Sequence, residues 1–141
     1  GYIYVHAGIV ARVDNEDELA GVLAHEIAHV NAHHLSRQQE KSRIWSYAEV
    51  LGLLASIVQP AVGAAAMGAS ASAQLQFRRE FEQEADYLGA RYVAQAGYAP
   101  RGMLDFFQSL WQAQRGAGSL LPPYLLTHPL TEERLTSLEA V

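Results

Sequence analysis

One segment of the chain carries two histidines and a glutamate among residues that are otherwise all apolar or small. The segment covers residues 19–30, and its large aliphatic residues recur at the spacing of one face of an α-helix. Glycine and alanine occupy the opposite face, so we expect a helix that is buried on every side. An uncompensated imidazole or carboxylate in such surroundings costs several kcal/mol. The fold must therefore supply a partner that compensates all three polar side chains.

The three polar residues form the sequence His25-Glu26-Ile27-Ala28-His29, an H-E-x-x-H pattern inside the predicted helix. Residues four apart on a helix are neighbours on its surface, so both imidazoles can reach one metal ion. A divalent metal would compensate the buried polar groups, and the glutamate of this pattern is the general base of metallopeptidases. The alternative is a pair of core histidines bonded to backbone carbonyls, with Glu26 paired to an arginine.

A catalytic zinc ion usually has three protein ligands and one open position for water, so a third ligand is required. A third histidine six residues after the second would indicate a metzincin, but Leu35 occupies that position and Ala32 replaces the expected glycine. His33 follows His25 at a distance of about 12 Å along a helix, which is too far for three ligands to converge. We therefore interpret His33 and His34 as surface residues or as residues that contact a ligand.

A glutamate from a second helix is the other common solution, and residues 80–86 contain three glutamates. Glu82 has Asp86 one helical turn away on the same face. In that arrangement Glu82 would bind the metal while Asp86 accepts the free N–H of a ligating histidine. Glu80 and Glu84 form a similar pair on another face, and a solvated acidic helix start would need no metal. Spacing alone leaves these alternatives open.

Composition excludes several other classes of protein. With 141 residues, of which 50% are hydrophobic, the chain is expected to form a single domain over residues 1–141. A net charge of −5 with scattered Lys and Arg argues against a nucleic-acid partner. The absence of cysteine excludes disulfides, a thiolate metal site and a cysteine nucleophile. Gly1 begins inside a predicted strand without an initiator Met, so we expect a fragment of a longer chain.

The residue pattern predicts an α+β, mostly α domain with a small strand element at its start. Residues 2–5 are β-branched and aromatic, which is typical of a strand. Asn15 and Glu18 resemble a capping box, which predicts a helix over about 16–39. Further helices are predicted, in chain order, over about 44–58, over about 64–76 after a break at 60–63, over about 79–96, from Pro100 through Trp111, and over about 132–141.

The chain between Glu49 and Arg78 has no charged residue, which raises the question of membrane contact. About 20 predominantly apolar residues are needed to span a bilayer, whereas Pro60 and Gly63 interrupt this run and its second half is rich in Ala, Gly and Ser. We therefore favour a helical hairpin that covers the active site. Peripheral membrane contact through residues 50–77 is the alternative.

Three separated stretches together resemble one family of peptidases. They are residues 1–5 leading to the H-E-x-x-H pattern and Val30, the pattern Arg79-x-x-Glu82-x-x-Ala85-Asp86 followed by Gly89, and Thr127-His128-Pro129 with Arg134. Over nearly its whole length the chain is similar to the gluzincin peptidases that include HtpX and the CaaX prenyl protease. Within them it resembles the soluble branch related to BepA and the mitochondrial Oma protease. This resemblance implies a zincin-like core in which the small strand element packs on a helical bundle.

The resemblance implies roles for particular residues. It makes Glu82 the third ligand of one Zn²⁺ per chain, with Asp86 as a companion that contacts a ligand rather than the metal. His128 would be a fourth, switch ligand that holds the enzyme latent, although a plain loop ahead of a helix capped by Thr131 would need no metal. Arg134 is similar to a family arginine near the site whose task is undefined.

Together these residues predict a zinc-dependent endopeptidase that cleaves misfolded or envelope proteins with Glu26 as general base. Peptidases commonly bind a peptide as an added strand, so the predicted substrate-binding residues are Tyr2, Ile3, Tyr4 and Val5. The alternative function is a zinc-stabilised, chaperone-like domain that binds client proteins without significant proteolysis. The resemblance also implies a periplasmic location in the bacterial cell envelope and a helical-repeat domain beyond Val141.

Overall fold

The computed structural model describes residues 3–116 and 123–140, and all regular structure within these residues is helical. The helices are α1 (Ala7–Val10), α2 (Glu16–Asn31), α3 (His34–Val58), α4 (Pro60–Gln95), α5 (Arg101–Gly116), α6 (Pro123–Thr127) and α7 (Glu132–Glu139). The chain divides into two compact units. The first contains residues 3–28 together with the described residues from 83 onward, and the second contains residues 29–82. The mostly α character predicted from the sequence is confirmed.

The predicted N-terminal strand is not found, and this part of the α+β prediction is wrong. Ile3, Tyr4 and Val5 have no regular structure, while Tyr2 lies outside the described residues. A strand is stabilised by backbone hydrogen bonds to a neighbouring strand, and residues 3–116 and 123–140 contain no second strand. β-branched and aromatic residues favour a strand only where a sheet surface is present for them to pack on.

The helix boundaries differ from the predicted ones at two places. Between α2 and α3 the chain leaves the helix at His33, whose φ of 54° lies in the left-handed region. Histidine is among the residues enriched in that region, but no glycine or proline marks the break in the sequence. At Gln59 the backbone is extended, and Pro60 then begins α4, where a proline fits because the first helical N–H has no partner within the helix. The predicted break at residues 60–63 is therefore wrong in position, since the chain breaks at Gln59. The two helices predicted over about 64–76 and 79–96 are parts of one helix, α4.

The capping interaction predicted at the start of α2 is confirmed. The side-chain oxygen of Asn15 accepts a hydrogen bond of 3.0 Å from the backbone N–H of Glu18. The carboxylate of Glu18 in turn accepts the backbone N–H of Asp14, also at 3.0 Å. The first bond satisfies an N–H group that the first helical turn leaves without a partner, and the second holds the chain just ahead of the helix. They fix the position at which the motif helix begins.

Helix α5 provides the largest share of the hydrophobic core of the first unit. Met103, Phe106, Phe107 and Leu110 recur at helical spacing and are almost completely buried. They pack with apolar residues of α2, α4, α6 and α7. Burial of side chains of this size stabilises the fold by about 1.5–3 kcal/mol each. The core therefore lies directly beneath the motif helix α2.

Helix α2 is buried on one side rather than on every side. Val22, Ala24 and Ala28 are buried, whereas Val30 is 63% exposed. The expectation of complete burial is therefore wrong for the last turn of the helix. The physical reason is that apolar residues all round a helix show only that it could be buried, whereas the neighbouring elements decide which faces are covered.

The second unit contains an antiparallel hairpin of α3 and the first part of α4. Trp45 of α3 lies against Phe77 of α4, with ring centroids 6.5 Å apart. Further along, the hydroxyl of Ser70 donates a 2.7 Å hydrogen bond to the carboxylate of Glu49. Among the described residues, no helix is both long enough and apolar enough to cross a bilayer. The hairpin itself is thus present, while its expected position over the active site stays a prediction.

Gly102 permits a close approach of α5 to α2. A Cβ at this position would lie 2.6 Å from the backbone oxygen of Asp17, and backbone cannot move aside as a flexible side chain can. We expect Gly102→Ala to lower the free energy of unfolding by about 1–3 kcal/mol in urea denaturation. Gly68→Ala is the matched control, because a Cβ there meets nothing within 4 Å and alanine is favoured inside a helix by about 1 kcal/mol. Equal stability of Gly102→Ala and the wild type would contradict this close packing.

Candidate metal centre

His25 is a fully buried imidazole with a contact at each ring nitrogen. Its Nδ1 lies 3.0 Å from Oδ1 of Asp86 on α4. Its Nε2 lies 3.4 Å from Nδ1 of His128. A carboxylate this close to one ring nitrogen restricts the orientation of the ring, which leaves the other nitrogen to bind a ligand. The first unit thus presents Nε2 of His25 toward the ring of His128.

Asp86 is held by Arg134 of α7, and both side chains are buried. The guanidinium donates through Nε to Oδ2 and through Nη2 to Oδ1, in both cases at 2.7 Å. Its Nη1 donates to the carbonyl oxygen of Pro129 at 2.8 Å. Paired hydrogen bonds of this kind match the rigid fork of arginine to a carboxylate. Arg134 therefore links Pro129, the residue after His128, to the carboxylate beside His25. The sequence could not assign this role to Arg134.

His128 lies between the first histidine and the glutamate of the motif. Its Nε2 is 3.3 Å from Oε1 of Glu26, while its Nδ1 faces His25. Its ring stacks on Tyr124, with centroids 4.7 Å apart and an interplanar angle of 24°. The side chain of Glu26 is 31% exposed. An imidazole thus lies beside a carboxylate that solvent can still reach.

The second unit contains the other histidine of the motif, His29, and two of the three candidate glutamates, Glu80 and Glu82. Oε1 of Glu82 lies 3.4 Å from Nε2 of His29, and Glu82 is buried. Glu80 is exposed and accepts a hydrogen bond from Gln76. Glu84 belongs to the first unit and is half-buried. Of the alternatives that spacing left open, the structure brings Glu82 next to a motif histidine.

The structure separates His33 and His34, which sequence reasoning treated together. His33 is exposed, whereas His34 is buried with its Nδ1 2.9 Å from Nδ1 of His29. The ring of His34 also stacks on Phe81, with centroids 4.7 Å apart. In an uninterrupted helix, residues five apart point about 140° away from each other, so the left-handed turn at His33 brings the two rings together. That turn has no glycine or proline signal, and the contact could not be read from the sequence.

The chemistry of the available donors fits a zinc ion. His25 and His128 in the first unit, and His29 and Glu82 in the second, each offer one nitrogen or oxygen atom. Imidazole nitrogens and carboxylate oxygens are the zinc ligands that remain in a chain without cysteine. Calcium and magnesium prefer sites made of oxygen alone. The donor set therefore favours zinc over these two ions.

A cavity of about 520 Å³ opens beside Glu26 and His128 in the first unit. Ile3, Tyr4 and Val5 form part of its wall, together with mostly apolar residues of α2, α5 and α6. A volume of this size is typical of pockets that bind small ligands or side chains. Three of the four residues predicted to bind substrate thus line a cavity that also includes the motif glutamate, while the fourth, Tyr2, is not described.

Comparison with known proteins extends over the whole chain. Residues 1–141 match the model of Peptidase family M48. A Vibrio cholerae protein provisionally named a beta-barrel assembly-enhancing protease is 41% identical over 144 residues, which cover 96% of this chain and 30% of that one. The beta-barrel assembly-enhancing protease of Escherichia coli K12 is 35% identical over 143 residues, with 96% and 29% covered. The mitochondrial metalloendopeptidase OMA1 of Arabidopsis thaliana is 33% identical over 134 residues, with 95% and 26% covered.

The chain spans about 30% or less of the length of these three curated relatives. No solved structure matches it significantly. The family indicated by the three sequence motifs is confirmed by the match over all 141 residues. The chain belongs to peptidase family M48, whose members are metal-dependent peptidases.

Proposed function

We propose that residues 1–141 are the catalytic domain of a zinc-dependent endopeptidase. The observation that carries this proposal is the buried series of contacts from Arg134 through Asp86 to His25, the first histidine of an H-E-x-x-H helix. A carboxylate that orients an imidazole is the usual companion of a metal-binding histidine, and it is itself usually hydrogen-bonded. Membership of family M48 and the metalloendopeptidase named among the relatives support the same function.

The proposed zinc ligands are His25, His29 and Glu82, with His128 as a fourth ligand and one ion per chain. Helix α2 carries the two motif histidines one turn apart, which places them on the same helical face. Helix α4 carries Glu82 and Asp86 one turn apart in the same way. Asp86 contacts the first motif histidine, and Glu82 contacts the second. The two contacts are therefore separated by four residues on α2 and by four residues on α4. This match of intervals supports a single ion.

A zinc ion at these ligands would supply a water of lowered pKa and would polarise the carbonyl of the scissile peptide bond. Glu26 is the proposed general base, which takes a proton from the attacking water and later passes it to the leaving nitrogen. Its partial exposure allows water and a peptide to reach it. Asp86 keeps the ring of His25 in one orientation during these steps. No covalent bond between enzyme and substrate is required.

His128 is proposed to hold the domain in a latent state. Its ring contacts both Glu26 and His25, so it fills space that a water molecule and a substrate carbonyl need. The hydrogen bond from Arg134 to Pro129 fixes the residue that follows His128. Activation would therefore require residues 128–130 to move away from Glu26.

Polypeptides are the proposed substrates, bound along Ile3, Tyr4 and Val5 and along the preceding Tyr2. The described part of this segment belongs to no helix or strand, and Tyr4 is 91% exposed. A segment outside regular structure can pair with an incoming peptide as a strand, which gives affinity through backbone hydrogen bonds. The cavity beside Glu26 would take a side chain of the bound peptide. Such binding places few demands on sequence, so we propose broad specificity.

The proposed location is the periplasm of the bacterial cell envelope. Two relatives have names that refer to β-barrel assembly, and the β-barrel proteins of bacteria reside in the outer membrane. Misfolded or unassembled envelope proteins are accordingly the proposed natural substrates. A helical-repeat domain beyond Val141 stays a prediction of the family resemblance.

Substitution of the general base separates catalysis from binding. We expect Glu26→Gln to reduce cleavage of casein about 10²–10⁴-fold, because proton transfer is lost while the metal ligands remain. Zinc content measured by atomic absorption and the helical circular dichroism signal should stay at wild-type values. Glu80→Gln, an exposed change of the same chemistry on α4, is the matched control and should cleave normally.

The same pair of proteins tests the alternative of a chaperone-like domain. If wild type and Glu26→Gln both leave unfolded casein intact while they bind it equally, proteolysis is excluded and client binding is favoured. The release variant described next must be included in that comparison, because a latent enzyme would also appear inactive.

Removal of the His128 ring should release latency. We expect His128→Ala to cleave casein faster than the wild type. The increase should be about tenfold for each 1.4 kcal/mol by which the contacts of His128 stabilise the latent state. Leu126→Ala, a change at an exposed residue of the same segment, is the control and should behave like the wild type. Unchanged or lower activity of His128→Ala at full zinc content would refute the proposed latent state.

A proline in the N-terminal segment should impair substrate binding without affecting the metal. Tyr4→Pro removes one backbone N–H and fixes φ, so we expect a higher KM for a protein substrate with unchanged zinc content. Tyr4→Val keeps the N–H and a residue of high strand propensity, and it should retain most activity. An unchanged KM for Tyr4→Pro would show that the backbone of this segment does not bind the substrate.

A further inference from the structure

The outer surface of the α3–α4 hairpin is apolar around its end. We call residues 50–67 the hairpin tip. Its exposed large apolar residues are Val50, Leu51, Leu53, Leu54, Ile57, Val58, Val62 and Met67, of which Val58 is 88% exposed. At about 100° per residue, the six of these residues on α3 fall within an arc of about 160° on one side of that helix, and Gly52 lies outside this arc. An exposed apolar surface of this extent marks an interaction site.

The seam between the two helices of the tip is built from small residues. Gly52 and Gly63 are buried, and a Cβ at Gly52 would lie 2.9 Å from Cβ of Ala66. A Cβ at Gly63 would lie 2.9 Å from the carbonyl oxygen of Gly52, so the two backbones are in close contact. A hairpin in water normally buries its large apolar residues in the seam and exposes polar ones. The tip has the opposite arrangement, which is the one that helices adopt in lipid.

Charged and aromatic residues lie at the base of the tip in an order that matches a membrane surface. Four cations, Lys41, Arg43, Arg78 and Arg79, flank residues 44–77, where Glu49 is the single charged residue. We call these four cations the basic collar. The carboxylate of Glu49 accepts hydrogen bonds from Ser70 at 2.7 Å and from Gln74 at 2.9 Å across the seam.

Aromatic residues lie between the basic collar and the hairpin tip. Trp45 contacts Phe77 across the seam, and Nζ of Lys41 lies 3.5 Å from the ring centroid of Phe77. Tyr47 is 66% exposed one half-turn further along α3. Membrane proteins have tryptophan and tyrosine at headgroup level, with cations on the aqueous side of them. The sequence of cations, aromatic residues and aliphatic residues therefore agrees with insertion from one side.

The length of the apolar region permits insertion into one leaflet but not a crossing. Residues 45–58 of α3 span about 20 Å at the rise of an α-helix, against a hydrocarbon core of about 30 Å. Because the chain turns at Gln59, it returns on the side from which it entered. This agrees with the finding that no described helix could cross a membrane.

We propose that the hairpin tip inserts into one leaflet of a membrane with anionic headgroups, which the basic collar contacts. Lipid is the proposed occupant because cations and aromatic residues border the apolar residues in the order found at a membrane surface. Sequence alone favoured a hairpin that covers the active site, and the outward direction of the large side chains now favours lipid. The inference rests on the second unit and is independent of the proposed peptidase chemistry.

Vesicle flotation tests the proposal directly. The probes are vesicles of pure phosphatidylcholine and vesicles with about 30% phosphatidylglycerol, which approximates an anionic leaflet. We expect the wild-type chain to float with the anionic vesicles, and the double change Ile57→Glu with Val58→Glu to reduce this binding at least about tenfold. Val10→Glu, at an exposed apolar residue of the first unit, is the matched control and should bind like the wild type. Casein cleavage without lipid should be equal for both variants and the wild type.

Two further measurements make the result specific to the tip and to the collar. The chain has no cysteine, so Ile57→Cys can carry a single environment-sensitive fluorophore, with Ser137→Cys as the control position. The label at 57 should shift to shorter wavelength on addition of anionic vesicles, and the label at 137 should not. Arg43→Gln and Arg79→Gln should each weaken binding to anionic vesicles about fivefold, with little effect on phosphatidylcholine.

Three outcomes would overturn the proposal. They are absence of wild-type binding to both kinds of vesicle, equal vesicle binding by the wild type and the double Glu variant, and a label at 57 that does not respond to lipid. Light scattering adds the decisive comparison with self-association. A wild-type dimer that the double Glu change dissociates, together with no vesicle binding, would assign the tip to a second copy of the chain.

Discussion

The buried ion pair between Arg134 and Asp86 is the interaction on which the candidate site depends. Two charges out of water are stable only if their hydrogen-bonding capacity is used, and here the guanidinium reaches both carboxylate oxygens and the carbonyl of Pro129. Loss of one partner of such a pair would cost about 3–5 kcal/mol. The same pair orients His25 through Asp86 and fixes the chain next to His128. One interaction therefore sets the position of a proposed ligand and of the proposed switch.

The core beneath this pair gives the site its rigidity. Phe107 of α5 is completely buried and contacts His25 edge-on, with ring centroids 5.7 Å apart. The guanidinium carbon of Arg134 lies 5.2 Å from the centroid of the same ring. Close-packed aromatic residues leave a neighbouring imidazole little freedom to rotate. Precise placement of the motif histidine thus follows from the packing of α5 as well as from its contact with Asp86.

The two units place their large apolar side chains in opposite ways. In the first unit the large side chains, such as Phe106 and Leu110, lie inside and are almost fully buried. In the hairpin tip the seam is made of glycine, alanine and serine, and the large side chains point outward. The first arrangement minimises apolar surface in water, and the second is stable where the surroundings are themselves apolar. This contrast within one chain is the physical basis for treating the tip as a surface for lipid.

The sequence by itself determined the family, the H-E-x-x-H motif, the cap at Asn15 and the apolar face of α5, because these depend on local spacing and on residue chemistry. Spacing could not choose among three glutamates or assign a role to Arg134, since both depend on residues that are distant in sequence. It could not find the contact between His34 and His29 either, because that contact depends on a left-handed turn. The predicted strand at residues 2–5 failed among the described residues for a related reason, because a strand needs a partner that local composition does not reveal. Only the tertiary structure decided which polar groups meet and which faces remain exposed, because burial and pairing are properties of the packed elements and not of any one segment.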